Sequence, residues 1–262
     1  MSTYLDAILE FHREQDSKDQ RKVANLEELA SKQGPTRGFF SRIATSNDVS
    51  FISEIKRKSP SKGVLKPDLD VQVLASEYEN GGATCLSVLT DSKFFGGSTE
   101  DLENARSCVS IPVLRKDFTI SLRDVFDARI MGADAVLLIA AALDGSELKD
   151  LYSLAKSIGL DVLVEIHDEI EGERALEVGA DLIGINQRDL YTFAVDAARA
   201  IRVKSSLPEN VTTVAESGIE NKDDIAAISD AGFDAVLIGE YLVKSTDARL
   251  ALKELVEIGK RS

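Results

Sequence analysis

The sequence predicts a (β/α)8 TIM barrel that follows a helical N-terminal extension, and three observations lead to this fold class. Eight short runs rich in Val, Ile and Leu lack polar alternation, which is typical of parallel strands covered on both faces. Amphipathic segments separate these runs, and a short glycine repeat precedes every second run. The runs cover residues 49–56, 84–91, 111–117, 135–140, 161–167, 182–187, 212–217 and 235–240. We expect one domain, with the extension at residues 1–46 and the barrel at residues 47–262.

A helical pattern runs through residues 1–34 and ends at the Gly34-Pro35 pair. The amphipathic segments 69–80, 147–158 and 223–230 are predicted helices between the later runs. The extension is expected to have two apolar helix faces. Leu5, Ile8, Leu9 and His12 share one face, and Leu26, Leu29 and Ala30 share the other. We nevertheless expect the imidazole of His12 to lie at the surface.

A weak internal repeat has the form Gly-Ala-Asp or a close variant. It stands immediately before the second, fourth, sixth and eighth runs, at Gly82, Gly132, Gly179 and Gly232, about 50 residues apart. A glycine there can end a helix in the left-handed conformation. A period of two βα units matches a barrel whose interior layers alternate between odd and even strands. An open doubly wound sheet is the alternative, although neither G-x-G-x-x-G nor a Walker A lysine loop follows the first run.

Composition and charge exclude several classes of protein. The chain has 262 residues, with 31 Lys and Arg against 45 Asp and Glu, so its formal charge is −14. This charge argues against nucleic-acid and anionic-membrane binding. The longest apolar run, residues 135–143, is about half of the ~20 residues that a transmembrane helix requires, and Asp6 and Glu10 interrupt any apolar signal segment. Cys85 and Cys108 form neither a metal motif nor a disulfide framework, so we expect a cytoplasmic protein.

Charged residues stand where several predicted strands end, and in a barrel these carboxyl ends face the active site. Burying an isolated charge costs several kcal/mol, so charges at this position should be paired or functional. An ion-pair network that closes the barrel top is the structural alternative. A cluster of coupled acids and bases instead suits proton transfer. The residues expected to ring one mouth are Glu54, Lys56, Lys116, Glu165 and Glu216.

A phosphate site is predicted in the loops after the seventh and eighth strands. Ser217-Gly218 follow the seventh strand, and Gly239-Glu240 follow the eighth, just before the short segment 241–244. Loops at these positions, together with the N terminus of a short helix, form the usual phosphate site of such barrels. Residues 59–63, after the first strand, could add a hydroxyl and a cation.

Apolar side chains near the strand tops have two possible roles, since they either line a flat pocket for an aromatic ring or fill the core. His167 falls on the same side of its strand as Glu165, but we favour a rim histidine that caps the next helix. With two histidines and no His/Cys cluster, we expect no zinc or iron site. The apolar candidates include Phe94, Phe95, Phe118, Leu137 and Leu190.

Five segments resemble the indole-3-glycerol phosphate synthase family. The run SEIKRKSPSKG at residues 53–63 is the most specific of them. The resemblance extends from the first strand to the eighth, in order, and includes the helical N-terminal extension. The other segments are IPVLRKDF at 111–118, LVEIH at 163–167, GINQRDL at 184–190 and AESGI at 215–219.

The resemblance implies the indole-forming step of tryptophan biosynthesis. In this reaction 1-(2-carboxyphenylamino)-1-deoxyribulose 5-phosphate gives indole-3-glycerol phosphate, carbon dioxide and water, without a cofactor or a metal. The expected partner is therefore a small phosphorylated molecule, and we expect a monomer or a weak homo-oligomer. The implied catalytic positions are Glu54, Lys56, Lys116, Glu165, Asn186, Glu216 and Ser217. The expected phosphate contacts are Ser217, Gly218, Gly239 and Glu240, the ring pocket comprises Pro60, Phe95, Phe118, Leu137 and Leu190, and further substrate contacts are Ser59 and Arg188.

Within this reaction the two lysines would supply positive charge and protons. Lys116 is expected to be the general acid at the substrate ketone, and Lys56 to hold the leaving carboxylate and to serve in dehydration. Glu165 would stabilise the cationic ring intermediate or accept its proton. Glu54 and Glu216 would orient the lysines and the substrate hydroxyls.

Two positions depart from the pattern of many relatives. Asn186 is expected to hydrogen-bond a substrate hydroxyl, but the next residue is Gln187 where many relatives have a second Asn. We expect this longer amide to make a similar bond or none. Tyr241 replaces a serine whose hydroxyl can reach phosphate, yet the backbone amides remain, so phosphate binding should survive.

Three other functions remain open for a phosphate-binding barrel. Phosphoribosylanthranilate isomerase needs an Asp/Cys acid–base pair at the strand ends, where neither Cys85 nor Cys108 lies. A Schiff-base aldolase would use Lys116 as its nucleophile. A barrel without catalytic activity would only bind a phosphorylated ligand.

Overall fold

The eight apolar runs form eight parallel strands that close into a barrel, which confirms the predicted (β/α)8 fold. The computed structural model describes residues 3–60, 62–192 and 194–261. In chain order the barrel strands are β1 (Ser50–Ile55), β2 (Cys85–Leu89), β3 (Val113–Lys116), β4 (Ala135–Ile139), β5 (Asp161–Ile166), β6 (Leu182–Asn186), β7 (Thr212–Glu216) and β8 (Ala235–Ile238). A small antiparallel hairpin, Lys58–Ser59 with Gly63–Val64, follows β1.

The barrel closes where β1 pairs with both β2 and β8. Ser50 lies opposite Ala235 on β8, whereas Ile52 lies opposite Cys85 on β2. All six residues of β1 are buried, because the strand is covered by side chains inside the barrel and by helices outside it. Since every strand runs in the same direction, all eight carboxyl ends meet at one mouth.

Most of the helices begin at a side chain that caps their free backbone N–H groups, although α2, α3, α10 and α12 have no such cap. Reciprocal capping boxes, such as Ser121 with Asp124 and Asp144 with Glu147, start several of them. The helices of the extension are α1 (Tyr4–Lys18), α2 (Val23–Ser31) and α3 (Phe39–Ala44). Those of the barrel are α4 (Val71–Gly81), α5 (Ser92–Phe95), α6 (Thr99–Cys108), α7 (Leu122–Ile130), α8 (Gly145–Ser157), α9 (Glu169–Glu177), α10 (Arg199–Lys204), α11 (Lys222–Asp230), α12 (Glu240–Lys244) and α13 (Ala248–Ile258). A short 3-10 helix, Ala140–Ala142, follows β4.

The N-terminal extension lies against the barrel helices and is interrupted between α1 and α2. Leu5 and Ile8 of α1 are 2% exposed, and Leu26 and Ala30 of α2 are 3% exposed, so the two predicted faces are largely correct. Leu29 is the exception, with 47% of its surface exposed. Ion pairs tie the extension to the barrel helices: Arg13 meets Glu147 at 2.9 Å, Arg21 meets Asp127 at 2.7 Å, and Arg123 meets Asp16 at 3.2 Å.

The glycine repeat performs the predicted backbone role and a second one. Gly82, Gly132, Gly179 and Gly232 all have positive φ, between 76° and 100°, as helix ends require. The third residue of three repeats also bonds the adjacent strand. The carboxylates of Asp134 and Asp234 accept from the amides of Val113 (2.9 Å) and Thr213 (2.7 Å), and the Thr84 hydroxyl accepts from the Phe51 amide (3.2 Å).

Two further observations concern membranes and thiols. Within the described ranges, no helix combines the length and the apolar character that crossing a bilayer demands. Cys85 and Cys108 are free thiols, and Cys85 is buried.

Candidate active site

A cavity of about 400 Å³ opens at the carboxyl ends of the strands. Its lining combines charged groups, an apolar wall and glycine-bearing loops. The sequence-predicted residues among this lining are Glu54, Lys56, Ser59, Pro60, Phe95, Lys116, Phe118, Leu137, Glu165, Asn186, Arg188, Leu190, Glu216, Ser217, Gly218, Gly239 and Glu240. The structure therefore gathers all of these positions around one space. Ser61, within the segment expected to add a hydroxyl, lies outside the described residues.

Four charged side chains come from the four odd-numbered strands: Glu54 from β1, Lys116 from β3, Glu165 from β5 and Glu216 from β7. Side chains from alternate strands form the layers of a barrel interior, and the uppermost layer is charged here rather than apolar. The ammonium of Lys116 lies 2.5 Å from Glu165 Oε2 and 2.9 Å from Glu216 Oε2. It thus joins two carboxylates that are each 1% exposed.

Gly184 on β6 leaves the space that Glu216 occupies. A Cβ atom at this position would lie 1.9 Å from Glu216 Oε1, so any side chain would displace the carboxylate. The same oxygen is buried without a hydrogen-bond partner. Gly184 therefore permits the contact between Glu216 and Lys116.

The cluster divides its protons unequally between its acids. Burial raises the pKa of Glu165, but the adjacent Lys116 ammonium outweighs burial and lowers this pKa. Burial and the negative charge of Glu165 raise the pKa of Glu216 to about 8, against the opposing attraction of Lys116. Burial alone would lower the pKa of Lys116, but the carboxylates of Glu165 and Glu216 raise it. Glu165 is accordingly the stronger acid of the cluster, and Glu216 is the acid that favours its protonated form.

Lys56 and Glu54 form a second pair on β1 and the residues after it. Their side chains, two residues apart, both face the cavity, as strand alternation predicts, and they form a short ion pair. Ile55 between them is 3% exposed and packs in the core. Gly239, in the loop after the neighbouring strand β8, accommodates Glu54, because a Cβ there would lie 2.5 Å from Glu54 Oε1.

The loop after β7 has an unusual backbone at the predicted phosphate site. Ser217 has φ of 64° and is the only non-glycine residue with positive φ in the described part of the chain. Gly218 follows with φ of 70°. Gln187 donates from Nε2 to the Ser217 carbonyl at 2.8 Å, so this departure from the family pattern supports the loop. Left-handed backbone outside glycine costs energy and concentrates at functional sites.

The loop after β8 leads directly into α12, whose first residues face the cavity. Glu240 begins the helix, and its carboxylate accepts from Lys244 Nζ at 2.6 Å. Lys62 Nζ lies 3.9 Å from the same carboxylate. Tyr241 and Lys244 also line the cavity, and sequence reasoning did not include Lys244 among the site residues.

Apolar residues form the opposite wall. Phe95 and Phe118 lie with their ring centroids 6.3 Å apart and an interplanar angle of 35°. Leu89 and Ile139, at the ends of β2 and β4, belong to the same wall and were not predicted. Of the five apolar candidates, Phe95, Phe118, Leu137 and Leu190 line the cavity, whereas Phe94 is not part of its lining and packs against the core. Strand parity could have identified Ile139, which lies two residues after Leu137 on β4.

His12 lies beside this wall, so the prediction of a surface position is wrong. Its side chain is 14% exposed, and Nε2 lies 2.9 Å from Asp91 Oδ2. Its ring lies 5.6 Å from that of Phe118. The ligand atoms of His12, Asp91 and Asp117 lie within 4.8 Å of one another, a group that could hold a cation. Asp91 already bonds His12 and the N terminus of α5, and Asp117 bonds Arg115 at 3.0 Å, so both carboxylates have partners within the protein.

The sequence of this chain matches one protein family over nearly its whole length. The sequence model described as "Indole-3-glycerol phosphate synthase" matches residues 5–255. A relative named indole-3-glycerol phosphate synthase from Chlorobium phaeovibrioides is 47% identical over 249 residues, 94% of this chain and 96% of the relative. One of the same name from Mycobacterium ulcerans is 44% identical, covering 98% and 95% of the two chains.

A solved structure supports the fold independently of sequence. That of 3-hexulose-6-phosphate synthase aligns with a TM-score of 0.64 at 15% identity, covering 80% of this chain and 99% of the other. At this identity the match concerns architecture alone. The family model and the relatives span nearly the whole chain, including every strand of the barrel. This chain belongs to the indole-3-glycerol phosphate synthase family.

Proposed function

We propose that this chain is a carboxy-lyase that converts 1-(2-carboxyphenylamino)-1-deoxyribulose 5-phosphate to indole-3-glycerol phosphate, carbon dioxide and water. The observation that carries the proposal is the Lys116 ammonium held between Glu165 and Glu216 at the mouth of the barrel. An apolar wall for an aryl group lies on one side of it, and the loops after β7 and β8 lie on the other.

The cavity would orient the substrate by its two ends. Backbone N–H groups of the loops at Ser217-Gly218 and Gly239-Glu240 would bind the phosphate, because left-handed residues and a helix start direct such groups toward an anion. Phe118 and Leu137 would contact the aryl ring. The substrate ketone would then lie near the charged layer, and Asn186 would hydrogen-bond a hydroxyl. Such positioning brings the aryl carbon within reach of the ketone carbon.

Ring closure forms one carbon–carbon bond and requires a proton. As the aryl carbon attacks the ketone, negative charge develops on the ketone oxygen, and Lys116 would donate a proton to it. Glu216, whose raised pKa favours its protonated form, would orient Lys116 and hold a proton next to it. Lys56 would neutralise the aryl carboxylate until carbon dioxide leaves and its bonding electrons return to the ring.

Dehydration completes the indole. The hydroxyl formed from the ketone leaves as water after protonation by Lys56, with assistance from the ring nitrogen. Glu165 stabilises the resulting cation and removes a proton from the adjacent carbon. The low pKa of Glu165 keeps it ionised for the first of these tasks.

The Schiff-base alternative conflicts with the electrostatics of Lys116. A nucleophilic lysine must lose its proton, and its pKa is normally lowered for this purpose. The negative charges beside Lys116, that of Glu165 foremost, together outweigh burial and raise the pKa of Lys116 instead. These contacts favour an acid over a nucleophile.

We further propose that the protein acts in the cytoplasm as a monomer or a weak homo-oligomer, without a cofactor, a metal or a nucleic-acid partner. The free thiols and the net charge of −14 support these assignments.

The purified chain, incubated with the carboxyphenylamino-deoxyribulose phosphate, should form a fluorescent indole product and carbon dioxide in equal molar amounts. Lys116→Ala should lower kcat by about 10²–10⁴-fold and change substrate affinity much less. Absence of product from the wild-type protein would refute the proposal. Normal turnover by Lys116→Ala would refute the role of this lysine, and a borohydride-trapped adduct would favour the Schiff-base enzyme.

A further inference from the structure

His167 lies behind the charged layer and does not line the cavity. It follows β5 immediately, and its side chain is 11% exposed. Its Nδ1 lies 3.0 Å from Glu171 Oε2 on α9, and its backbone N–H donates to the same oxygen at 2.8 Å. Glu171 thus fixes the imidazole at both its ring and its backbone.

The other ring nitrogen faces Glu165. His167 Nε2 lies 3.7 Å from Glu165 Oε1, and it is buried without a hydrogen-bond partner. The opposite oxygen of Glu165, Oε2, is the one that contacts Lys116. Four side chains therefore form a row in which acidic and basic groups alternate, in the order Glu171, His167, Glu165 and Lys116.

We infer that His167 is a positioning residue, which directs an N–H group from Nε2 at Glu165 and so keeps the carboxylate aligned with Lys116; this inference rests on the proposed function. Glu171 sets the tautomer and the charge, because its contact at Nδ1 requires a proton there and favours a second proton at Nε2. A neutral imidazole with its only proton on Nδ1 presents a lone pair to Glu165 and repels it.

The charged groups around His167 have opposing effects on its pKa. Burial lowers the pKa of His167, but the hydrogen bond that its Nδ1–H donates to Glu171 on α9 and the charge of Glu165 on β5 outweigh burial and raise it. Arg199 on α10 opposes them, and Asp189 lies 3.7 Å from this guanidinium. These contacts therefore favour the protonated form of the imidazole.

Two substitutions separate positioning from a purely structural role. His167→Gln places an amide N–H near the position of Nε2, toward Glu165, whereas His167→Asn places it near Nδ1, toward Glu171. We expect His167→Gln to retain kcat within about fivefold, and His167→Asn to lose about 10²-fold with little change in KM, as small misplacements of catalytic groups do. Equal kcat values for the two variants, whether both high or both low, would overturn the inference.

The pH dependence provides the second readout. Glu171→Gln should shift the alkaline limb of the kcat profile to lower pH by about one unit, because His167 then loses its proton more easily. Glu169→Gln removes the same charge from an exposed position on the same helix turn and should leave the limb in place. In the His167→Gln background, Glu171→Gln should cause no shift. A limb that Glu171→Gln does not move would contradict the role of Glu171.

A measurement without turnover distinguishes this inference from the proposed function. The chain has two histidines, so imidazole NMR signals are assigned by substituting His12. We expect the pKa of His167 to lie above its ordinary value of 6.5 and to fall in Glu171→Gln. If the wild-type protein forms no indole, the proposed function fails. If it forms indole and His167 titrates at or below 6.5, only the present inference fails.

Discussion

Glu216 carries a stability cost that follows from its place beside Glu165. Its pKa rises from an ordinary 4.5 to about 8 on folding. A carboxyl of this kind contributes most to stability below pH 4.5, and the contribution is lost as the pH rises through about 8. Burial and a neighbouring negative charge are therefore tolerated at this position in exchange for chemistry, as at many active sites.

Glu216→Gln should abolish this pH dependence, because an amide does not ionise. Between pH 5 and pH 8, the free energy of unfolding of the wild type should fall relative to the variant by a few kcal/mol, in order of magnitude. Urea denaturation at several pH values measures the difference. Glu240→Gln is the matched control: the pKa of Glu240 is lowered, so its contribution changes below pH 4.5. Parallel wild-type and Glu216→Gln curves would contradict the assignment.

Ser217 illustrates a second cost at the scale of one residue. Its φ of 64° is strained for serine but relaxed for glycine. Ser217→Gly and Ser217→Ala both remove the hydroxyl, so they should impair phosphate binding equally. Ser217→Gly should, however, be more stable than Ser217→Ala by about 1 kcal/mol in chemical denaturation. Equal stabilities would show that the loop relaxes.

At the scale of elements, the glycine repeat explains how strands and helices are joined at the end of the barrel away from the cavity. Asp134 is fully buried, and it accepts from the amides of Val113 and Arg37 (both 2.9 Å) and from the Arg106 guanidinium (3.0 Å). One carboxylate thereby holds β3, the extension and α6. Asp181 occupies the equivalent repeat position, but it is partly exposed and bonds Lys156 at 3.1 Å.

Asp134→Ala should lower the free energy of unfolding by about 3–5 kcal/mol, because it leaves a partly buried guanidinium and two amides without their acceptor. Asp181→Ala should cost about 1 kcal/mol or less, since exposed ion pairs contribute little. Thermal and urea denaturation measure both effects. The folded fraction of Asp134→Ala should keep its kcat, and a kcat loss exceeding the loss of folded protein would contradict a purely structural role.

The elements also show which features could be predicted from the sequence. Parallel strands buried on both faces produce apolar runs, and side chains alternate along them, so the strands and the shared direction of Glu54 and Lys56 were predictable. The contact between His12 and Asp91 was not, because it joins residues 79 positions apart through a helix whose docking no periodicity specifies. The exposure of Leu29, on a helix face predicted to be apolar, was unpredictable for the same reason.

At the scale of the whole molecule, the two ends of the barrel have separate tasks. The carboxyl ends of the strands surround the cavity and hold residues that cost stability, such as Ser217 with its strained backbone and the buried acid Glu216. The amino ends hold polar groups with satisfied partners, such as Asp134 and Asp234. Since each strand pairs on both sides, no barrel strand among the described residues presents a free edge for association with another chain.

Because its pKa is raised, Glu216 also couples the binding of a ligand to the uptake of a proton from the solvent. A bound anion next to this carboxyl favours its protonated form, so capture near pH 8.5 should draw protons from the buffer. Isothermal titration calorimetry with a non-reacting analogue, its ketone reduced to an alcohol, should give heats that differ between Tris and HEPES in proportion to their ionisation enthalpies. Glu216→Gln should diminish that difference, and identical heats for the wild type in both buffers would exclude the coupling. In mildly alkaline solution, each catalytic cycle would then take up a proton when the substrate binds and release it when the product dissociates.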